Sequence, residues 1–156
     1  MRIYLGSDHA GYQLKDRLIG WLTARGHETV DCGAAAYNED DDYPPYILRA
    51  ALRAADDPGS FGVVLGGSGN GEAMAANKVK GARAALVWNE ETARLAREHN
   101  DANVISLGAR LHTAEEAIHL VAVFLDTPFS GAKRHRRRLA MLDRYEETGE
   151  LPASPG

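Results

Sequence analysis

The sequence predicts an α/β fold, a Rossmann-like three-layer αβα sandwich around a five-stranded, mostly parallel sheet. Three observations predict it. Strand-like and helix-like stretches alternate five times along the chain. The strand-like runs, such as FGVVL (61–65), are short and almost continuously apolar, as strands covered on both faces are. Turn residues separate them from stretches with apolar side chains at helical spacing.

The elements follow in order. RIYLGSD is a short buried strand ending in a turn. The next stretch sets Leu14, Leu18, Trp21 and Leu22 on one helical face and stops at Gly26. HETVDCG is a second strand, and a polar loop (AAAYNEDDDYPPY) leads to a helix from about Tyr46 to Ala55. After the turn DDPGS, FGVVLGG is the third strand and a helix runs through roughly Lys78. ARAALVW and NVISLGAR are the fourth and fifth strands, each with a helix behind it. The last element, AKRHRRRLAMLDRYEETG, is a basic and then mixed-charge helix. Residues 1–150 read as one domain that includes this helix, and 151–156 as a frayed tail.

Composition narrows the function. The 156 residues carry a formal net charge of −4, which argues against bulk nucleic-acid binding. With Cys32 as the one cysteine, neither an intrachain disulfide nor a cysteine-based zinc cluster can form. The N-terminus reaches a turn too soon for a secretory signal, and no apolar run approaches the ~20 residues of a membrane span. The expectation is a cytoplasmic protein with no nucleic-acid or membrane partner.

Right-handed crossovers gather the loops after the strands at one sheet edge, where such folds bind ligands. Four loops are therefore expected to build the site: GSDHAG, DCGAAAYNEDDDYP, GGSGNGE and GARLHT, with REHN (97–100) nearby. GGSGNGE (66–72) has the spacing of an anion-cradling turn, but Glu72 stands where a P-loop has lysine and where a dinucleotide fingerprint has its third glycine. Amides of Gly67, Gly69, Asn70 and Gly71, with the Ser68 hydroxyl, suit an oxygen that gains charge during reaction. A carboxylate beside such a hole can take the proton from the adjoining carbon, and a helix start favours its ionised form. The pairing describes enolisation.

The other loops are weighed similarly. Asp8 or Ser7 would serve as a helix cap, but His9 gains nothing from that role. His99 and Asn100 end a helix, while Arg97 and Glu98 read as solvated. Arg110 leaves the ligand edge of the sheet with the bidentate geometry a phosphate accepts. Arg134 and Arg138 share a helical face with His135 beside them, a pair able to clamp one phosphate. The run NEDDDY reads as a solvated acidic loop and lacks the ligand spacing of an EF-hand, so no metal is expected. Cys32 reads as a small, partly buried residue. A nucleotide-binding regulatory module and a basic-helix interaction protein are the competing classes.

GSDHAGYQLK, VDCG, DYPPY, GGSGNGEAMAANK, REHNDANVISLGAR and KRHRRR together resemble the type B ribose-5-phosphate isomerases, a family that also contains galactose-6-phosphate isomerase subunits. The resemblance implies metal-independent, cofactor-free interconversion of aldose and ketose phosphates through an enediol. The pentose pair ribose 5-phosphate and ribulose 5-phosphate is the leading expectation, and allose 6-phosphate or galactose 6-phosphate the alternative. It implies that Asp8 and His9 contact the substrate, His9 near its phosphate. The loop with Ser68 would hold the enediolate, His99 would assist ring opening, and Asn100 would bind a hydroxyl. Tyr43 would wall the site. Arg110, Arg134, His135 and Arg138 would grip the phosphate, the last three from the second subunit of a homodimer or dimer of dimers. Many members carry a cysteine base at the position of Gly66; this chain resembles the branch in which Glu72 is the base.

Overall fold

The computed structural model describes residues 1–154; of the tail expected at 151–156, residues 151–154 are exposed and outside any helix or strand, and the last two lie outside the described residues. The strands are β1 (Arg2–Ser7), β2 (Glu28–Asp31), β3 (Phe61–Gly66), β4 (Ala84–Leu86) and β5 (Val104–Gly108). The helices are α1 (Tyr12–Ala24), α2 (Pro44–Asp56), α3 (Asn70–Ala76), α4 (Glu90–Glu98), α5 (Ala114–Asp126) and α6 (Lys133–Thr148). Every strand pair is parallel, in the order β2-β1-β3-β5-β4.

Alternation along the central strands supplies both faces. Ile3, Leu5, Val63, Leu65, Ile105 and Leu107 point into one apolar cluster with α1, α4 and α5. Tyr4, Val64 and Val104 point into the other, beneath α2 and α3. Chain order reverses between β1 and β3, so the loops after these two strands open a crevice at the carboxyl edge of the sheet.

Local chemistry sets the element ends. α2 starts two residues before the expected Tyr46, because Pro44 and Pro45 fit a first helical turn that needs no amide donors. It lies close on β1 because Gly6 has no side chain: a Cβ there would sit 2.7 Å from the Tyr46 carbonyl oxygen. α4 and α5 begin with reciprocal capping boxes, Asn89 with Thr92 and Thr113 with Glu116. α6 crosses the opposite edge, where strands begin. It packs His135 on His99 and reaches the α3–β4 connection through Asp143 on Arg83 and Glu146 on the Gly81 amide.

Candidate active site

The glycine loop is fixed from β5. The amides of Ala109 and Arg110 donate to the carbonyls of Gly66 and Gly67 at 2.7 and 3.1 Å. The buried Ser106 hydroxyl donates to the Gly69 carbonyl at 2.8 Å. Gly69 turns at φ +84°, and a Cβ there would press on Leu86 and on the Leu107 backbone. Ser68 Oγ accepts from the Asn70 amide at 3.2 Å, which leaves its O–H able to donate outward.

Glu72 occupies the first turn of α3 and is 4% exposed. Its carboxyl group lies over Gly66, in the volume that a side chain at position 66 would need. Burial, and then the nearby charge of Asp8, raise its pKa, while the amides of Glu72 and Gly69 pull the other way. The helix start was expected to favour the ionised form; desolvation reverses the net direction. The result is a carboxylate more basic than a free one.

Asp8 caps the short turn after β1 by accepting from the Ala10 amide at 3.0 Å, and its other oxygen faces His9 Nδ1 at 3.9 Å. Capping and site-facing roles are thus combined. His9 is held by Asp41, whose Oδ1 accepts from both the His9 amide (2.9 Å) and Nδ1 (2.8 Å). This hydrogen bond raises the His9 pKa, opposed by partial burial and by the positive charge of Arg110. The Arg110 guanidinium lies across Gly67, where a Cβ would be 3.2 Å from Nη1. Tyr43 places its ring against Gly71, whose missing side chain leaves that space. Asp8, His9 and Asp41 gather polar atoms within 4.8 Å of one another, at separations their hydrogen bonds explain.

Asp41 is what sequence reading passed over. NEDDDY is not uniformly solvated, since the Asp41 side chain is only 5% exposed. Three consecutive aspartates conceal which one turns inward. Arg97 is a second correction: its side chain is 11% exposed, with the guanidinium over the Phe61 ring. It donates to Asp101 and to the Ala102 carbonyl at 2.8 and 2.7 Å.

The expected site residues fall into two groups. Asp8, His9, Tyr43, Gly67, Ser68, Gly69, Asn70, Gly71, Glu72 and Arg110 meet at the carboxyl edge. His99, Asn100, Arg134, His135 and Arg138 sit at the opposite edge, so REHN is not near the four loops of its own chain. The reason is topological: a crossover helix runs antiparallel to its strands, and the end of α4 returns to where β5 begins. At that edge the His99 and His135 rings lie 4.3 Å apart. His135 Nδ1 meets Ser130 Oγ at 2.8 Å, and Nε2 accepts from Arg134 Nε at 3.2 Å. Burial, then the charge of His99, lower the His135 pKa, consistent with a neutral ring.

The model of the family described as Ribose/Galactose Isomerase matches residues 3–142. The chain belongs to the ribose/galactose isomerase family. Across its whole length this family member is 58% identical to ribose-5-phosphate isomerase B of Mycobacterium tuberculosis, covering 96% of that protein. It is 35% identical to ribose-5-phosphate isomerase B of Escherichia coli, over 94% of this chain and 97% of the relative. Among solved structures, ribose-5-phosphate isomerase B of Mycoplasma genitalium with bound ribulose-5-phosphate superimposes with a TM-score of 0.91 at 40% identity. That match covers 94% of this chain and 97% of the other.

Proposed function

We propose that this isomerase interconverts ribose 5-phosphate and ribulose 5-phosphate with Glu72 as the proton shuttle. The observation that carries the reading is the Glu72 carboxyl group, buried over Gly66 beside a rigid loop of amides and raised in basicity. Glu72 removes the C2 proton of the open-chain aldose and returns it to C1, while the hydroxyl proton passes from O2 to O1, so that the C1 carbonyl becomes a hydroxyl and C2 becomes the carbonyl. Negative charge that grows on the substrate oxygen is met by the loop amides and Ser68. Asp8 lies close enough to the base for its negative charge to add to that basicity. Arg110 supplies positive charge for the phosphate, joined by His9, whose protonated form is favoured by its hydrogen bond to Asp41. Tyr43 closes the side of the crevice. No metal or cofactor enters these steps.

The two-edge distribution supports a homodimer, or a dimer of dimers, in which a second copy brings its starting edge to this crevice. His99 would then assist ring opening, Asn100 would bind a sugar hydroxyl, and Arg134 and Arg138 would grip the phosphate. Because both nitrogens of His135 are engaged, it acts on the phosphate through Arg134. The dianionic substrate stays in the compartment where it is made, which supports a cytoplasmic location.

The test is turnover of ribose 5-phosphate and allose 6-phosphate side by side with EDTA present, repeated with Glu72→Gln. The expected result is pentose preference and a kcat loss of ~10²–10⁴-fold with KM little changed. Near-full activity of the variant would remove Glu72 from the role of base. Hexose preference would keep the mechanism and change the substrate.

A further inference from the structure

The connection between β2 and α2 is long and irregular, yet it delivers Asp41 to His9 and Tyr43 to Gly71. Such a segment needs anchors, since no ladder or helix fixes its path. One anchor is an ion pair that the mechanism does not use.

Lys15 lies on α1 and is 1% exposed, among the largest fully buried side chains of the protein. Its ammonium pairs with Asp31, the last residue of β2, and lies 4.9 Å from the Tyr12 ring centroid. The other Asp31 oxygen accepts from the Gly33 amide at 2.8 Å, which turns the chain immediately after the strand. Gly33 sits so close over the lysine stem that a Cβ would be 3.2 Å from both Cδ and Cε. Further along, Tyr37 meets the Tyr12 ring edge-on at 6.0 Å. A methionine would fill the same space without an ammonium to desolvate, so packing alone does not call for this charge.

We propose that Lys15 is a positioning residue: through Asp31 and Gly33 it sets the path of the β2–α2 loop and thereby holds Asp41 on His9 and Tyr43 on Gly71. It acts through the loop and does not touch substrate. The link to catalysis rests on the roles given above to His9 and Tyr43.

Lys15→Met is tested by steady-state kinetics with ribose 5-phosphate and by amide hydrogen exchange. Loss of a hydrogen bond to a charged group corresponds to about tenfold or more in an equilibrium. KM is therefore expected to rise about tenfold with kcat changed far less. The Gly33 and His9 amides, both bonded to the anchored aspartates, should exchange about tenfold faster relative to those of Val63 and Val64 at the sheet centre. A merely stabilising lysine would speed sheet and loop amides together and leave KM alone, and that result overturns the proposal. Should Lys15→Met fail to fold, Asp31→Asn makes the same test from the half-exposed partner, with the same two outcomes. Faster loop exchange with unchanged KM would uphold the anchor and instead remove His9 and Tyr43 from substrate binding.

Discussion

Glu72 and His9 are shifted upward for opposite reasons, and the signs make separate predictions. Burial makes the Glu72 anion unfavourable, so the folded protein binds its proton more tightly than the unfolded chain does. Stability from this position is therefore highest below the ordinary value of 4.5 and falls as pH rises toward the folded pKa. Glu72→Gln should raise Tm at pH 7 while lowering kcat ~10²–10⁴-fold, and thermal melts at pH 4 should show that gain in Tm shrinking. In the wild type, the acid limb of kcat/KM should titrate above 4.5, because the base must be ionised. His9 gains a partner, so its contribution is complete below 6.5 and disappears as pH rises through its higher folded value. Asp41→Asn should return the His9 titration, followed by NMR, toward 6.5 and raise KM most above that pH.

At the scale of elements, the connection between α4 and β5 shows how a presented surface is held. Asp101 adopts φ +43°, the left-handed region that aspartate tolerates better than most residues. Its carboxylate accepts from both Arg97 (2.8 Å) and Arg83 (3.3 Å), and Arg83 also reaches the Asn100 carbonyl at 3.2 Å. Asp101→Ala should cost about 1–3 kcal/mol in urea denaturation, more than Asp101→Asn, which keeps the backbone preference and one acceptor. This connection also marks how far sequence reading reaches. The five strands and six helices were legible because apolar runs and helical spacing report burial directly, and GGSGNGE reported its turn through glycines. Arg97 was not: the aromatic rings that cover it, Phe61 and Phe124, lie far away in sequence. Asp41 was hidden for a related reason, since a run of like residues shows no period that distinguishes inside from outside.

For the molecule as a whole, the proposed site residues stand on two opposite edges, and in the proposed dimer a complete site would take one edge from each chain. The motifs pointed to these residues one by one, but only the parallel topology reveals their separation. A complementation experiment follows. Chains carrying Glu72→Gln and chains carrying Arg134→Ala with Arg138→Ala should each be poorly active at low substrate. Dissociated together and reassembled in equal amounts, they should recover roughly a quarter of wild-type activity, because half the dimers are hybrids with one intact site each. Recovery no greater than the sum of the separate variants would place all the residues within one subunit.

The overlap of the Glu72 carboxyl group with the space above Gly66 also constrains how this enzyme can change over generations. Installing a thiol at position 66 while Glu72 remains would drive a second side chain into the volume that the Glu72 carboxyl group holds. Removing Glu72 first would leave the crevice without the base proposed for it. With Glu72 as the proposed base, either order of change passes through an intermediate expected to be impaired. On that proposal, single substitutions would not exchange a glutamate base for a cysteine one, and each lineage would tend to keep the base it inherited.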